Sequence, residues 1–187
     1  MSRQGLQTGE FGYWLKNYLS DSPANSYDVY YDHGDRNKDP EHVAAIKGFC
    51  GDDVSNVNRI ADIDVMVVDQ KKNVKLLIEI EERAVSPKKL LGNVLAILMC
   101  NNIAVKINSE QTLFKFSEHT AAIVAGLVPD KGGRLEKVRS IIRPRIKELG
   151  GYPDGINSKN VEIIFENNLS STIAELKKQV QRTLGFV

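Results

Sequence analysis

Two pairs of acidic residues lie inside segments that otherwise have the apolar composition of buried β-strands. The first pair is Asp62 and Asp64, within the run RIADIDVMVVD, and the second is Glu79 and Glu81, within KLLIEIE. Because residues i and i+2 of a strand point to the same face, each strand is expected to carry two carboxylates side by side. A carboxylate inside a sheet core costs free energy unless it is paired or bound to a cation. The pattern therefore favours a β-sheet protein in which these acids are held together by a cation or by basic partners.

A cluster of carboxylates on adjacent strands is typical of a site for a hard divalent cation such as Mg²⁺ or Mn²⁺. Such an ion lowers the pKa of a bound water and stabilises the leaving oxygen of a phosphoryl displacement. The alternative is that the acids face solvent or pair with Arg59, Lys75 and Arg83. Two such pairs on neighbouring strands favour the metal site, and with it phosphoryl chemistry.

The rest of the chain predicts further helices and strands around this pair of strands. A helical spacing of apolar residues follows Thr8, its predicted cap, and Ser86-Pro87 is a strong helix start. The short polar turn between the strands over 59–69 and 74–83 predicts an antiparallel hairpin. The other predicted elements are strands over 27–31, 103–107, 112–116 and 161–165, a short helix over 41–49, a helix over 135–142 interrupted near Pro144, a final helix capped by Thr172, and a segment over 121–128 that is either strand or helix. This order predicts an α/β (α+β) fold with a mixed central sheet flanked by helices.

Composition bounds the function only loosely. The length of 187 residues and the apolar fraction of 42% are those of one globular domain, over 1–187. The net charge of +1 neither indicates nor excludes a nucleic-acid-binding protein, because a local basic surface is enough. We find no secretory signal and no apolar run of about 18 residues, so we expect a cytoplasmic protein with no membrane partner. The two cysteines form no CxxC pair, and the three histidines lack zinc-site spacing and are expected at the surface.

An Asp that opens an apolar strand, a short turn, and then an apolar strand ending in Glu-x-Glu resembles the motif of the PD-(D/E)xK nuclease superfamily. That superfamily includes type II restriction endonucleases and archaeal Holliday-junction resolvases, and its core has the order α-β-β-β-α-β. The resemblance covers residues of about 8–107 and implies a restriction-endonuclease-like core, with 108–187 as a C-terminal α/β extension. It also implies a metal-dependent endonuclease that hydrolyses DNA phosphodiester bonds with Mg²⁺ or Mn²⁺.

The resemblance assigns roles to individual residues. The metal-binding Asp is Asp64 or Asp62, with Asp64 favoured because the apolar strand follows it directly, and the third-strand Glu is Glu79. Glu10, on the first helix, matches an acid that members often carry as a further ligand. Glu81 stands where the family usually has a catalytic lysine, and in an active enzyme it would take a proton from, or position, the attacking water. This departure fits either an active enzyme or a degenerate site. The displaced positive charge would then come from Lys75 or Lys88.

A basic stripe follows in the C-terminal part of the chain. Seven basic residues against two acids between Asp130 and Lys147 give a local net charge of +5, which could hold a nucleic-acid backbone or be an ordinary solvated helix face. The residues predicted to bind nucleic acid are Arg83, Lys88, Lys89, Arg134, Lys137, Arg143 and Arg145. The partner expected is DNA, and cutting both strands would favour a homodimer. The alternative function is a catalytically inactive nuclease-fold protein that acts as a nucleic-acid-binding or protein-interaction module.

Overall fold

The computed structural model describes residues 5–21, 27–51, 53–107, 109–151 and 154–186. In chain order the elements are α1 (Leu6–Ser20), β1 (Tyr27–Tyr31), β2 (Ala45–Phe49), β3 (Arg59–Ile63), β4 (Val65–Asp69), β5 (Val74–Ala84), α2 (Pro87–Met99), β6 (Asn102–Ile107), β7 (Glu110–Phe114), β8 (Ala121–Leu127), α3 (Arg134–Lys137), a π-helical segment (Val138–Ile142), α4 (Arg143–Ile146), a 3₁₀ turn (Ser158–Asn160), β9 (Val161–Glu166) and α5 (Leu169–Thr183). The predicted α/β fold with a mixed central sheet flanked by helices is confirmed.

The strands form two sheets. The first sheet has five strands in the order β1-β4-β5-β8-β9, and the second has four in the order β3-β2-β6-β7. In the first sheet β1, β4 and β5 pair antiparallel, whereas β5, β8 and β9 pair parallel. The hairpin predicted between the two acidic strands is confirmed as the β4–β5 pair. β8 is a strand rather than a helix, and with β9 it extends the same sheet from the C-terminal part of the chain.

The first sheet is buried on both faces. Val65 and Val67 of β4 belong to a core with Phe11 and Leu15 of α1, which also receives side chains of α5. Met66 belongs to a second core, shared with α2, the second sheet and the α3–α4 region. A strand covered on both sides reads as a continuous apolar run, which explains the sequence of β4. No helix among the described residues is long and apolar enough to cross a membrane.

The single strand predicted over 59–69 is wrong, because the chain bends at Asp64. β3 pairs with β2 in the second sheet, whereas β4 pairs with β1 and β5 in the first. The Asp64 carbonyl accepts a hydrogen bond from the Asp32 N–H at 2.8 Å, which ties the bend to the end of β1. Asp62 and Asp64 therefore do not share one face of one strand. Both halves have strand-like composition, so periodicity alone could not show the corner.

Other local predictions are also corrected. The short helix predicted over 41–49 is instead the strand β2, which pairs with strands on both sides, so tertiary pairing overrides local preference. The strand predicted over 112–116 is β7, which begins two residues earlier at Glu110. Thr8 does not cap α1, whose N-cap is Gly5, and Thr172 lies within α5, where the Asn168 side chain accepts the Ser171 N–H as the cap.

The helix predicted to break near Pro144 changes its geometry just before that residue. α3 runs into the π-helical segment Val138–Ile142, and Pro144 lies in the first turn of α4. Proline has no N–H donor, and its ring crowds the carbonyl four residues earlier in an α-helix. A wider π turn before Pro144 relieves that crowding, so the predicted interruption is present as a local change of helix type.

Candidate functional site

Asp64, at the bend before β4, and Glu79 of β5 meet where the β4–β5 pairing ends. Val65 pairs with Ile78 in the β4–β5 register, so the next position brings Asp64 opposite Glu79. The Asp64 N–H donates to the Ile78 carbonyl at 3.1 Å, and the Ile80 N–H donates to Asp64 Oδ2 at 2.6 Å. These two bonds flank Glu79 and hold the Asp64 carboxylate beside it.

Glu79 is a titratable group of this site that is buried without a full set of hydrogen-bond partners. Its Oε2 atom is buried, and among the buried side-chain oxygens and nitrogens of the described residues it alone lacks a hydrogen-bond partner. Burial raises the pKa of Glu79 to about 9, and the negative charges of Asp64, Glu81 and Asp62 add to the shift, against the opposing charge of Lys89. An unpaired buried carboxylate oxygen is costly unless a proton or a cation satisfies it.

Asp64 shares this environment. Burial raises the pKa of Asp64 to about 7, and the hydrogen bond from Ile80 and the charge of His33 oppose the shift. Two neighbouring carboxyl groups in a partly desolvated site cannot both ionise without a compensating positive charge. The metal-free pair therefore retains a proton around neutral pH.

Glu81 differs from Glu79 because both of its carboxylate oxygens accept hydrogen bonds. Lys89 Nζ of α2 donates to Glu81 at 2.7 Å, and Asn93 Nδ2 donates to the other oxygen at 2.9 Å. Glu81 is thus held by two side chains from successive turns of α2. A lysine is present beside the acids, but it comes from the helix and not from β5.

Of the other residues predicted for this site, Lys75 and Glu10 lie elsewhere, and Asp62 acts on Glu79 only through its charge. Lys75 lies at the start of β5, where its Nζ pairs with Asp69 at 3.2 Å, roughly 13 Å along the strand from Glu79 at about 3.3 Å per residue. Asp62 is exposed on β3 and pairs with Lys47 at 2.6 Å. Glu10 is exposed on α1 and accepts a hydrogen bond from Gln7 at 2.8 Å. The structure does not bring Lys75, Asp62 or Glu10 into contact with the Asp64–Glu79 pair.

The basic residues predicted to bind nucleic acid are divided between paired and free positions. Arg143 pairs with Glu162, and Arg145 pairs with Glu148, so part of the positive charge of the stripe is neutralised. Lys137 is exposed, and the Arg134 side chain lies outside the part of the structure that is described. Arg83, at the end of β5, and Lys88, on α2, are exposed near the site.

The structure adds contacts that periodicity could not indicate. The Glu82 carboxylate accepts the backbone N–H groups of Thr8 at 2.7 Å and Gly5 at 3.0 Å and so caps α1. Asp32 and His33, in the loop after β1, lie beside Asp64. Each contact joins residues far apart in the chain, and none has a short-range signature in the sequence.

The donor set is small, which limits the kind of ion that it suits. Among the described residues no group of three or more His, Cys, Asp or Glu side chains is arranged to hold a metal. The Asp64–Glu79 pair fits a Mg²⁺-type ion, which is commonly held by one or two carboxylates and completes its shell with water and substrate phosphate. No family model, curated protein or solved structure matches this chain.

Proposed function

We propose that Asp64 and Glu79 bind a divalent cation, Mg²⁺ or Mn²⁺, and that the protein is a metal-dependent endonuclease that hydrolyses DNA phosphodiester bonds. The observation that carries the proposal is the buried Glu79 Oε2 atom, which has no hydrogen-bond partner among the described residues and lies beside a second carboxylate. Two neighbouring acids with raised pKa values, where the β4–β5 pairing ends, are typical of a functional site, and a cation would satisfy both carboxylates.

When bound, a divalent cation would polarise a phosphoryl oxygen and activate a water molecule. The two carboxylates would orient that centre, because the backbone hydrogen bonds on either side of Glu79 hold Asp64 in position. Lys89 is about half exposed while it bonds to Glu81. An ammonium group has three donors, so Lys89 can reach a phosphate oxygen while Glu81 keeps it in place. Lys89 would then stabilise negative charge that develops on the phosphate.

A second function is favoured by one observation at Glu81. Both Glu81 oxygens accept hydrogen bonds, from Lys89 and from Asn93, so this residue has a structural role that does not require turnover. A protein that binds nucleic acid at this site without cutting it would show the same pairing. This second candidate is a catalytically inactive nuclease-fold module, and it differs from the first in turnover rather than in partner.

The test compares the wild-type protein with Asp64→Asn and Glu79→Gln, and uses Glu10→Gln as the matched control. We expect Mn²⁺ to raise the melting temperature of the wild type, because a ligand that binds only the folded state stabilises it. We expect cleavage of supercoiled plasmid DNA to fall by about 100-fold or more in both site variants. Glu10→Gln removes a similar charge from an exposed acid and should change neither property.

The two candidate functions give different results in this experiment. A metal-dependent shift with cleavage supports the endonuclease, whereas DNA binding without cleavage of DNA or RNA supports the inactive module. A wild-type protein whose melting temperature and cleavage are both insensitive to Mg²⁺ and Mn²⁺ would contradict the proposed metal site.

A further inference from the structure

His33 lies beside the acidic pair although it is 31 positions from Asp64 in the chain. The preceding residue, Asp32, donates its N–H to the Asp64 carbonyl at 2.8 Å, and the Asp32 side chain accepts the His33 N–H at 2.7 Å. The His33 charge is close enough to lower the pKa of Asp64 against the larger effect of burial. His33 itself is exposed, so its side chain is accessible to a ligand.

The backbone of His33 adopts a conformation that most residues avoid. Its φ is 62°, in the left-handed region, which is strained for a residue other than glycine. The first turn of α1 is built around this loop: a Cβ added at Gly5 would lie 2.4 Å from His33 Cγ, and one added at Gly9 would lie 2.5 Å from the His33 carbonyl oxygen. The ring is therefore confined on its α1 side.

The loop that carries His33 is anchored at its far end as well. Asp39 is 5% exposed, and its carboxylate is bonded to Lys16 of α1, the Tyr31 hydroxyl and the His42 ring, each at 2.8 Å. Glu82 of β5 in turn fixes the N-terminus of α1 through Thr8 and Gly5. A loop that is anchored this way, beside a helix that is itself fixed, can present its side chain to a ligand at a defined position.

The surroundings of His33 determine which ligand it can meet. The first free N–H groups of α1, which would otherwise attract an anion, are already taken by Glu82. The imidazole always carries at least one N–H donor, in its neutral and in its charged form. An imidazole N–H donor beside a site for a divalent cation can donate a hydrogen bond to a phosphate oxygen of the substrate.

We propose that His33 is a substrate-contacting residue of this site, whose ring N–H donates a hydrogen bond to a phosphate oxygen of the nucleic acid bound beside Asp64 and Glu79. This inference rests on the proposed nuclease function, since it assigns a further contact of the same site. His33 needs no role in binding the cation, because Asp64 and Glu79 supply the one or two carboxylates that commonly hold a Mg²⁺-type ion.

The test replaces the ring without disturbing the backbone. His33→Gly keeps the left-handed conformation and removes the donor, and His33→Asn tolerates that conformation and keeps a shorter donor. His119→Asn is the matched control, because His119 is an exposed histidine whose partner is Glu118 and which lies outside this site. The readouts are the melting temperature, its shift with Mn²⁺, and kcat and KM for cleavage of a DNA duplex.

We expect kcat/KM to fall about 10- to 100-fold in His33→Gly, as for the loss of one hydrogen bond to a charged group, with partial recovery in His33→Asn. The Mn²⁺ shift should match that of the wild type in both variants, and His119→Asn should be unchanged throughout. Cleavage by His33→Gly within about twofold of the wild type would overturn the role of His33 alone, as would loss of its Mn²⁺ shift. Absence of cleavage by the wild type would instead overturn the proposed function, and the inference with it.

Discussion

Lys89 Nζ donates a hydrogen bond of 2.7 Å to the Glu81 carboxylate and so joins the first turn of α2 to the end of β5. The Lys89 charge also opposes the rise in the pKa of Glu79, so one side chain acts on both acids of β5. The resemblance to the PD-(D/E)xK superfamily predicts a lysine on β5 itself, at the position of Glu81. In this fold a glutamate occupies that position and holds a lysine that reaches over from the next helix.

Lys89→Met should therefore lower cleavage by about 100-fold, because it removes the positive charge that would face the phosphate. The matched control is Lys88→Met, since Lys88 is the adjacent residue, is exposed and carries the same charge. Single-turnover cleavage of a DNA duplex at saturating Mg²⁺ measures the effect. Equal loss in the two variants, or no loss in Lys89→Met, would remove Lys89 from the site.

The metal-free protein should lose stability as the pH rises. The folded pKa values of Asp64 and Glu79 are raised to about 7 and about 9, above the ordinary carboxyl values of about 4 in the unfolded chain. Between those values the folded state binds more protons than the unfolded state, so the free energy of unfolding falls with pH. Urea denaturation in EDTA from pH 5 to pH 9 measures this slope.

Glu79→Gln tests whether the acidic pair causes this fall in the free energy of unfolding with pH. It removes the group with the higher pKa and should flatten the decline and raise the stability of the metal-free protein at pH 8. Saturating Mn²⁺ should have a similar effect on the wild type, because the cation replaces the proton. Glu10→Gln serves as the control, and an identical slope in all three proteins would show that the acidic pair does not titrate as described.

The elements that followed from the sequence are those set by local pattern. A largely apolar run located β5, Ser86 and Pro87 marked the start of α2, and a short polar turn implied the β4–β5 hairpin. The two-residue repeat of a strand placed Glu79 and Glu81 on one face of β5. Such features depend on neighbours within a few positions, so the sequence alone carries them.

The arrangement of the site depended on contacts that local pattern cannot report. The corner at Asp64 sends β3 and β4 to different sheets, and it is stabilised by the Asp32 N–H from another part of the chain. Lys89 rather than Lys88 meets Glu81 because of how α2 is placed relative to β5, which spacing along the sequence does not determine. The link between Glu82 and Thr8, 74 positions apart, likewise has no local signature, so the sequence predicts Thr8 as the cap although the cap comes from Glu82.

Glu82 should matter for stability even though it points away from the acidic pair. Glu82→Ala leaves the Thr8 and Gly5 N–H groups without their acceptor and should lower the free energy of unfolding by about 1–2 kcal/mol, the usual cost of losing a helix cap. Glu82→Gln keeps one acceptor oxygen and should lose less. Urea denaturation measures both variants, with Glu10→Ala as a control expected to stay within about 0.5 kcal/mol.

A stable Glu82→Ala variant would mean that α1 holds its position without this contact. A second readout is available, because α1 confines His33: cleavage should fall in Glu82→Ala even at a temperature where the protein is fully folded. Full activity in a destabilised variant would limit Glu82 to a structural role.

Lys137 and Arg143 should differ in their contribution to DNA binding, although both belong to the basic stripe and carry the same charge. Lys137 is exposed and makes no ion pair with a described residue, whereas Arg143 pairs with Glu162, which also accepts a hydrogen bond from Lys147 at 2.7 Å.

An arginine that is already ion-paired within the protein releases fewer counterions from DNA than an unpaired basic residue does. Lys137→Gln should therefore reduce the slope of log affinity against log salt by about 0.9, the value for one lost phosphate contact, and Arg143→Gln should leave it nearly unchanged. Fluorescence anisotropy in EDTA, with the Glu79→Gln background to prevent cleavage, measures both slopes. Equal slopes in the two variants would show that the pairing with Glu162 does not decide which residues of the stripe meet DNA.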